Sequence, residues 1–149
     1  MHEFELIEDS VLTALTPLKA EGVKALSAYA GQLEGEALEL MDLAGRFPCV
    51  YVAAGGLTSE TANKTDTIDT SVVVVIGDKN VRGGDKAARG DGQSPGVYLL
   101  LERVKTLLHR QRIIPGFLPL VRQREYPALY QPAQGVCVFM AVYATRCMK

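Results

Sequence analysis

The hydrophobic positions of this chain fall into stretches of helical spacing and stretches of strand character, separated by glycine and proline. Ile7, Val11, Ala14, Leu15 and Leu18 recur at helical spacing. Glu8 and Asp9 fit a first helical turn, where negative charge suits the positive end of the helix dipole. Pro17 marks an end to this helix, and Gly22 closes the unit. Residues 23–30 alternate weakly and predict a first strand; residues 31–35 read as a turn. Ala37, Leu40, Met41 and Ala44 then share one face of a short helix over 36–44, with Gly45 just past its last turn.

Arg46-Phe47-Pro48 redirects the chain into residues 49–54, a strand by its β-branched and aromatic content. The polar stretch 58–66 reads as a hairpin loop or a twisted strand edge. Residues 67–76 carry the clearest strand signal. Val72-Val73-Val74-Val75-Ile76 is apolar on both faces, as a central strand covered on both sides should be. Ser94-Pro95 predicts a helix start, with serine as cap and proline at the first helical position. Val97, Leu100, Leu101, Val104, Leu107 and Leu108 form its buried stripe. Pro115-Gly116 breaks the chain. Residues 117–130 contain Pro119 and Pro127, so that strand belongs at a sheet edge or carries a bulge. A turn over 131–135 leads to a last strand over 136–145.

The order is α-β-α-β-β-α-β-β. Short turns between successive strands predict an α+β fold: a mixed or antiparallel sheet of about five strands packed by two to three helices. At 149 residues the chain has the size of one domain, read as spanning 1–149. A chain of this length buries roughly 68–70% of its unfolded surface and folds without disulfide or metal staples. Hydrophobic residues make up 48% and charged residues 22%, which argues against disorder. The formal net charge of −1 gives the whole surface no reason to bind nucleic acid or an anionic membrane. Cys49, Cys137 and Cys147 form no CxxC pair and read as reduced core thiols of an intracellular protein. No signal peptide or bilayer-length apolar run is present.

Enzyme signatures fail one by one. The glycines near Gly77, Gly83 and Gly84 lack the GxxxxGK-Ser/Thr run of a phosphate loop, and no GxSxG elbow occurs. His2 and His109 have no partner at metal-ligand spacing, and His109 beside Arg110 suits the negative end of a helix dipole. Asp66 and Asp69 form a conceivable carboxylate pair, better explained as polar residues on a strand edge. Arg89-Gly90-Asp91 matches an adhesion tripeptide by chance. No catalytic, cofactor or metal site is expected. The outlying feature is the glycine-rich stretch 78–93, with Lys79, Arg82, Lys86 and Arg89, read as a flexible basic loop. It suits a loop ordered on assembly against a neighbouring subunit, or a surface loop without a role. The alternative is a nucleic-acid-binding accessory protein that contacts phosphates through these four cations.

The order of these pieces resembles the Mu-like phage family of small tail proteins regarded as tail terminators. It is carried by the helix beginning Ile7-Glu8-Asp9, Arg46-Phe47-Pro48 entering its strand, the central strand 72–76 and the basic loop. Gly96-Val97-Tyr98-Leu99-Leu100 opening a helix and the terminal strand pair complete it. The resemblance implies a structural subunit, not an enzyme. Its partners would be itself as a homohexameric ring, the tail tube protein and a head-completion or connector protein. It implies no membrane partner, and no nucleic acid beyond DNA passing through the lumen. Its location would be the host cytoplasm during assembly and then the virion tail. The loop 78–93 would lie near the subunit contact or lumen.

Overall fold

The computed structural model describes residues 1–29, 47–80, 84–91, 95–131 and 135–149. Helix α1 spans Glu3–Leu15, starting earlier than the charge pattern suggested. The His2 Nδ1 accepts the Phe4 N–H at 3.1 Å, so the cap is an imidazole, and the acids of the first turn are Glu3 and Glu5, not Glu8 and Asp9. The α-helix ends at Leu15, and a 3-10 helix over Thr16–Glu21 carries Pro17 in its first turn, where proline's missing N–H leaves no bond unmade. Gly22, at φ 100°, turns the chain into β1, Ala25–Ala28, shorter than the expected 23–30. The helix expected over 36–44 lies outside the described residues.

Strand β2, Cys49–Ala62, runs parallel to β1 and antiparallel to β3, Thr65–Lys79. The polar stretch 58–66 is therefore mostly ladder. Its turn is only Asn63 and Lys64, at φ 52° and 66°, the left-handed pair that matches the twist of a two-residue hairpin. Strand β5, Val136–Met148, lies beside β3, and β4, Val121–Gln131, lies beyond it, giving the order β1-β2-β3-β5-β4. The run 67–76 thus sits in the middle of a five-stranded mixed sheet, as expected. The residues around Pro127 form an edge strand with two bulges, at Arg122/Arg124 and Pro127/Leu129. A proline that cannot donate to a ladder is tolerated there.

Helices pack on one face. Ile7, Val11, Leu15 and Leu18 meet Val50, Val52, Val72, Val74 and Ile76 of the sheet. So do Val97, Leu100, Leu101, Val104 and Leu108 of the long helix over Val97–Leu108. A smaller cluster of Phe47, Cys49, Tyr51, Val75, Val136 and Val138 lies on the opposite face. This explains why residues 72–76 read as apolar throughout: Val72, Val74 and Ile76 belong to the larger cluster, Val75 to the smaller. All three cysteines are buried and unpaired. Burial pushes the Cys49 thiol up to about 12 and the Cys137 thiol up to about 11.

Candidate assembly surface

The stretch 78–93 is built, over its described part, differently from the flexible loop expected. Asp78 and Lys79 complete β3, and Gly84–Arg89 forms a short helix, α2, ahead of α3, Val97–Leu108. Ala87 and Ala88, two small residues among charges, are buried in the main core and dock α2. Asp78, only 1% exposed, accepts the Lys79 N–H at 2.7 Å and the Gly96 N–H at 3.0 Å. Its carboxylate thereby ties the end of the central strand to the start of α3. Gly96 is the cap of α3, at φ 80°, in place of the expected Ser94, which lies outside the described residues. A side chain at Gly96 would run into the backbone of Arg89 and Gly90. The neighbouring Asp91 carboxylate accepts the Asn80 Nδ2–H at 2.9 Å, giving the Arg89-Gly90-Asp91 triplet a packing role.

Of the four predicted cations, Lys79 is half-buried at the end of β3, while Lys86 and Arg89 are exposed on α2. Arg82 lies outside the described residues. Asp66 and Asp69 are not brought together, because three residues along a strand point to opposite faces. Asp66 accepts the Thr61 hydroxyl at 2.6 Å. Asp69 receives Arg146 through Nε at 2.6 Å and Nη2 at 3.2 Å, and this bond holds its carboxyl below the usual range. The outer sheet face nearby forms a shallow hollow of about 450 Å³ around Gly55, Gly56, Ser71 and Gln123, with Asp69 at its wall. Among the described residues no three of His, Cys, Asp and Glu converge as a metal set, and no helix is long and apolar enough to cross a membrane.

The fold concentrates positive charge elsewhere. Beyond α3 the chain doubles back: Arg110 N–H donates to Leu120 O at 2.7 Å and Leu120 N–H to Gln111 O at 3.0 Å. This sets Arg110 and Gln111 beside Leu120, and His109 beside Arg122, at the start of β4. Arg110, Arg112, Arg122 and Arg124 are exposed; on β4, Arg122 stands opposite Tyr143 and Arg124 opposite Val142, on the two different faces of the sheet. Arg122 pairs with Glu125 at 3.0 Å, and Arg124 lies 4.1 Å from the centre of the Tyr126 ring. His109 is drawn into this rim as an acceptor, its Nδ1 taking the Arg122 N–H at 3.0 Å. Desolvation, then Arg110, Arg122 and Lys105, hold its pKa below 6.5. The helix-dipole reading of a charged His109 is thereby corrected: an imidazole accepting at Nδ1 among cations favours the neutral form. The signal for this rim was in the sequence, as an Arg-Gln-Arg triplet repeated twelve residues apart.

The other end of the sheet differs. Beyond β1, the edge of β2 meets α1, where the Glu8 carboxylate accepts the Ala54 N–H at 3.0 Å. After a bulge between Ala54 and Leu57, residues 57–62 pair, among the described residues, with β3 on one side only. Exposed acids Glu5 and Asp9 occupy α1, with Phe4 partly exposed beside them.

No curated protein matches the chain. The family model described as Bacteriophage Mu, Gp37 matches residues 4–147 and takes in every element above. The chain belongs to this bacteriophage Mu Gp37 family and is a phage structural protein.

Proposed function

We propose that the chain is a tail terminator: a subunit that closes into a ring, caps the tail tube, stops its polymerisation and offers a surface to head-completion proteins. The observation that carries this reading is the match of residues 4–147 to a phage structural family, on a sheet whose β4 edge is irregular. A ring requires two different patches on each subunit that meet head to tail, with a rotation that closes; a two-fold dimer requires one patch that meets itself. The β4 edge is blunted against open-ended strand addition by two bulges and Pro127, as suits an edge whose contacts are controlled. The reading places the protein in the host cytoplasm during assembly and in the virion tail afterwards.

The test is the mass of the purified chain in solution, by light scattering and negative-stain electron microscopy, alone and with tail tube protein. Closed rings, and tubes ended by them, are the expected outcome. A chain that stays monomeric at high concentration and leaves tube length unchanged overturns the reading. The alternative of nucleic-acid binding through Lys79, Arg82, Lys86 and Arg89 gains no support from Lys79, which is half-buried at the end of β3, and only Lys86 and Arg89 are exposed neighbours on α2.

A further inference from the structure

We infer that the edge of β2 over residues 57–62 pairs antiparallel with the same edge of a second copy, about a two-fold axis at Ser59. Elsewhere, among the described residues, the sheet covers or breaks its edges. β1 lies along residues 49–52, and the Val52 carbonyl accepts the Tyr29 N–H at 2.8 Å. The Glu8 carboxylate accepts the Ala54 N–H at 3.0 Å. On the far side, two bulges and Pro127 interrupt β4. Residues 57–62 instead form an unbroken ladder with β3, contain no proline or lysine, and are exposed from 58 to 62. A regular row of outward N–H and C=O groups is a template for another strand.

The hairpin fixes which groups point outward. Asp66 N–H donates to Lys149 O at 2.7 Å and Lys149 N–H to Asp66 O at 2.8 Å, so the Asp66 backbone bonds away from β2. Thr61, opposite Asp66, therefore turns its N–H and C=O away from β3, and by alternation so do Ser59 and Leu57. An incoming strand must match outward residues with outward residues, which leaves few registers. With Ser59 facing Ser59 of the second copy, Leu57 faces Thr61 and Thr58 faces Glu60, and no like charges stand directly opposite. A shift toward the turn sets Glu60 against Glu60; a shift the other way runs into the bulge and loses a pair. Charge and bond count thus select one self-complementary register. The β4 edge of a second copy cannot take this place, because its ladder is broken by two bulges and a proline. A patch that meets itself is two-fold, so this contact goes beyond the head-to-tail ring contact and does not rest on it.

Ser59→Pro tests this. The Ser59 N–H takes no part in the ladder to β3, so proline removes a donor at the two-fold and leaves the hairpin whole, which circular dichroism checks. Sedimentation velocity and amide hydrogen exchange over a concentration series read the contact. In the wild type, dimers should grow with concentration while the amides of Leu57, Ser59 and Thr61 gain protection. Those of Thr58, Glu60 and Ala62, already in the ladder, should change little. Ser59→Pro should raise the dimer dissociation constant at least about tenfold. Ser59→Lys and Ser59→Glu should each dimerise more weakly than wild type yet pair with each other in an equimolar mixture, because residue 59 faces itself. These two read the contact even where the proline variant fails to fold. A mixture that pairs no better than either variant alone, or a folded Ser59→Pro that dimerises like wild type, overturns the inference. Wild-type rings without protection at residues 57, 59 and 61 overturn it while the ring reading stands. Protection that appears only on adding tail tube protein assigns the edge to that partner's strand and overturns self-pairing.

Discussion

Replacing Asp78 by alanine removes two hydrogen bonds from a carboxylate that is only 1% exposed, at 2.7 Å to Lys79 N–H and 3.0 Å to Gly96 N–H. Bonds to a charged acceptor each contribute about 1.5–3 kcal/mol, and a buried N–H left without a partner costs about 1–3 kcal/mol. These figures overlap, since both describe the same lost bonds. The Lys79 bond is local and its residue half-buried, so most of the loss falls on Gly96. The net expectation for Asp78→Ala is about 3 kcal/mol. For a chain of this size that lowers the unfolding midpoint by about 6–12 °C. Asp78→Asn keeps one acceptor but turns an NH₂ toward the other N–H, and should fall about midway.

Urea denaturation followed by circular dichroism measures the loss, and hydrogen exchange locates it. Amides at Gly96 and in the first turn of α3 should exchange faster, while the β2-β3 hairpin keeps its protection. An alanine variant within about 0.5 kcal/mol of wild type, with an unchanged denaturant slope, would falsify the claim that this carboxylate ties strand to helix.

Four further outcomes follow from the same coordinates. Tyr143 is fully buried and its hydroxyl has no hydrogen-bond partner among the described residues, so Tyr143→Phe should be neutral to about 1 kcal/mol stabilising in the same denaturation assay. Gly135, at φ 67°, stands where a side chain would strike the Asn80 backbone; Gly135→Ala should cost more than the roughly 1 kcal/mol of a left-handed alanine, and a smaller loss counts against the packing. Native Cys49 and Cys137, raised to about 12 and about 11, should resist a thiol reagent at neutral pH and react once the chain is unfolded. His109 is held below 6.5 in the folded chain and returns to it on unfolding, so the stabilisation it gives is complete above the unfolded value and lost as pH falls through the folded one. His109→Gln keeps an acceptor without titrating; the stability difference between wild type and variant should shift on acidification from about pH 8 to about pH 5, in that direction.

The sequence pattern was most legible where burial repeats. The run 72–76 announced a central strand, Val97 to Leu108 announced a helix, and Pro127 announced an edge. It was least legible where a single atom decides. The start of α1 depends on an imidazole cap at His2, an uncommon residue there, so the pattern pointed to Glu8 and Asp9 instead. The hairpin turn was hidden because Lys64 stands where glycine is usual, and only its left-handed φ of 66° shows that the ladder continues on both sides. The stretch 78–93 looked unstructured because, among its described residues, the buried ones are Asp78, Asn80, Ala87 and Ala88, too small or too polar to register as a core segment.

The same contrast bears on the site. A local count of cations drew attention to Lys79, Arg82, Lys86 and Arg89, because they lie close together in sequence. The structure shows why proximity in sequence misleads: Lys79 is half-buried at the end of β3 while Lys86 and Arg89 sit on α2, whereas the fold-back after α3 brings His109 and Arg110 to the start of β4. Arg110 and Arg122 are twelve residues apart, yet the bonds between Arg110 and Leu120 and between Leu120 and Gln111 set them on one rim. At His109 desolvation, and after it Arg110, Arg122 and Lys105, hold the imidazole below its usual value. A net charge of −1 sums over the whole chain and carries no information on where its arginines come together.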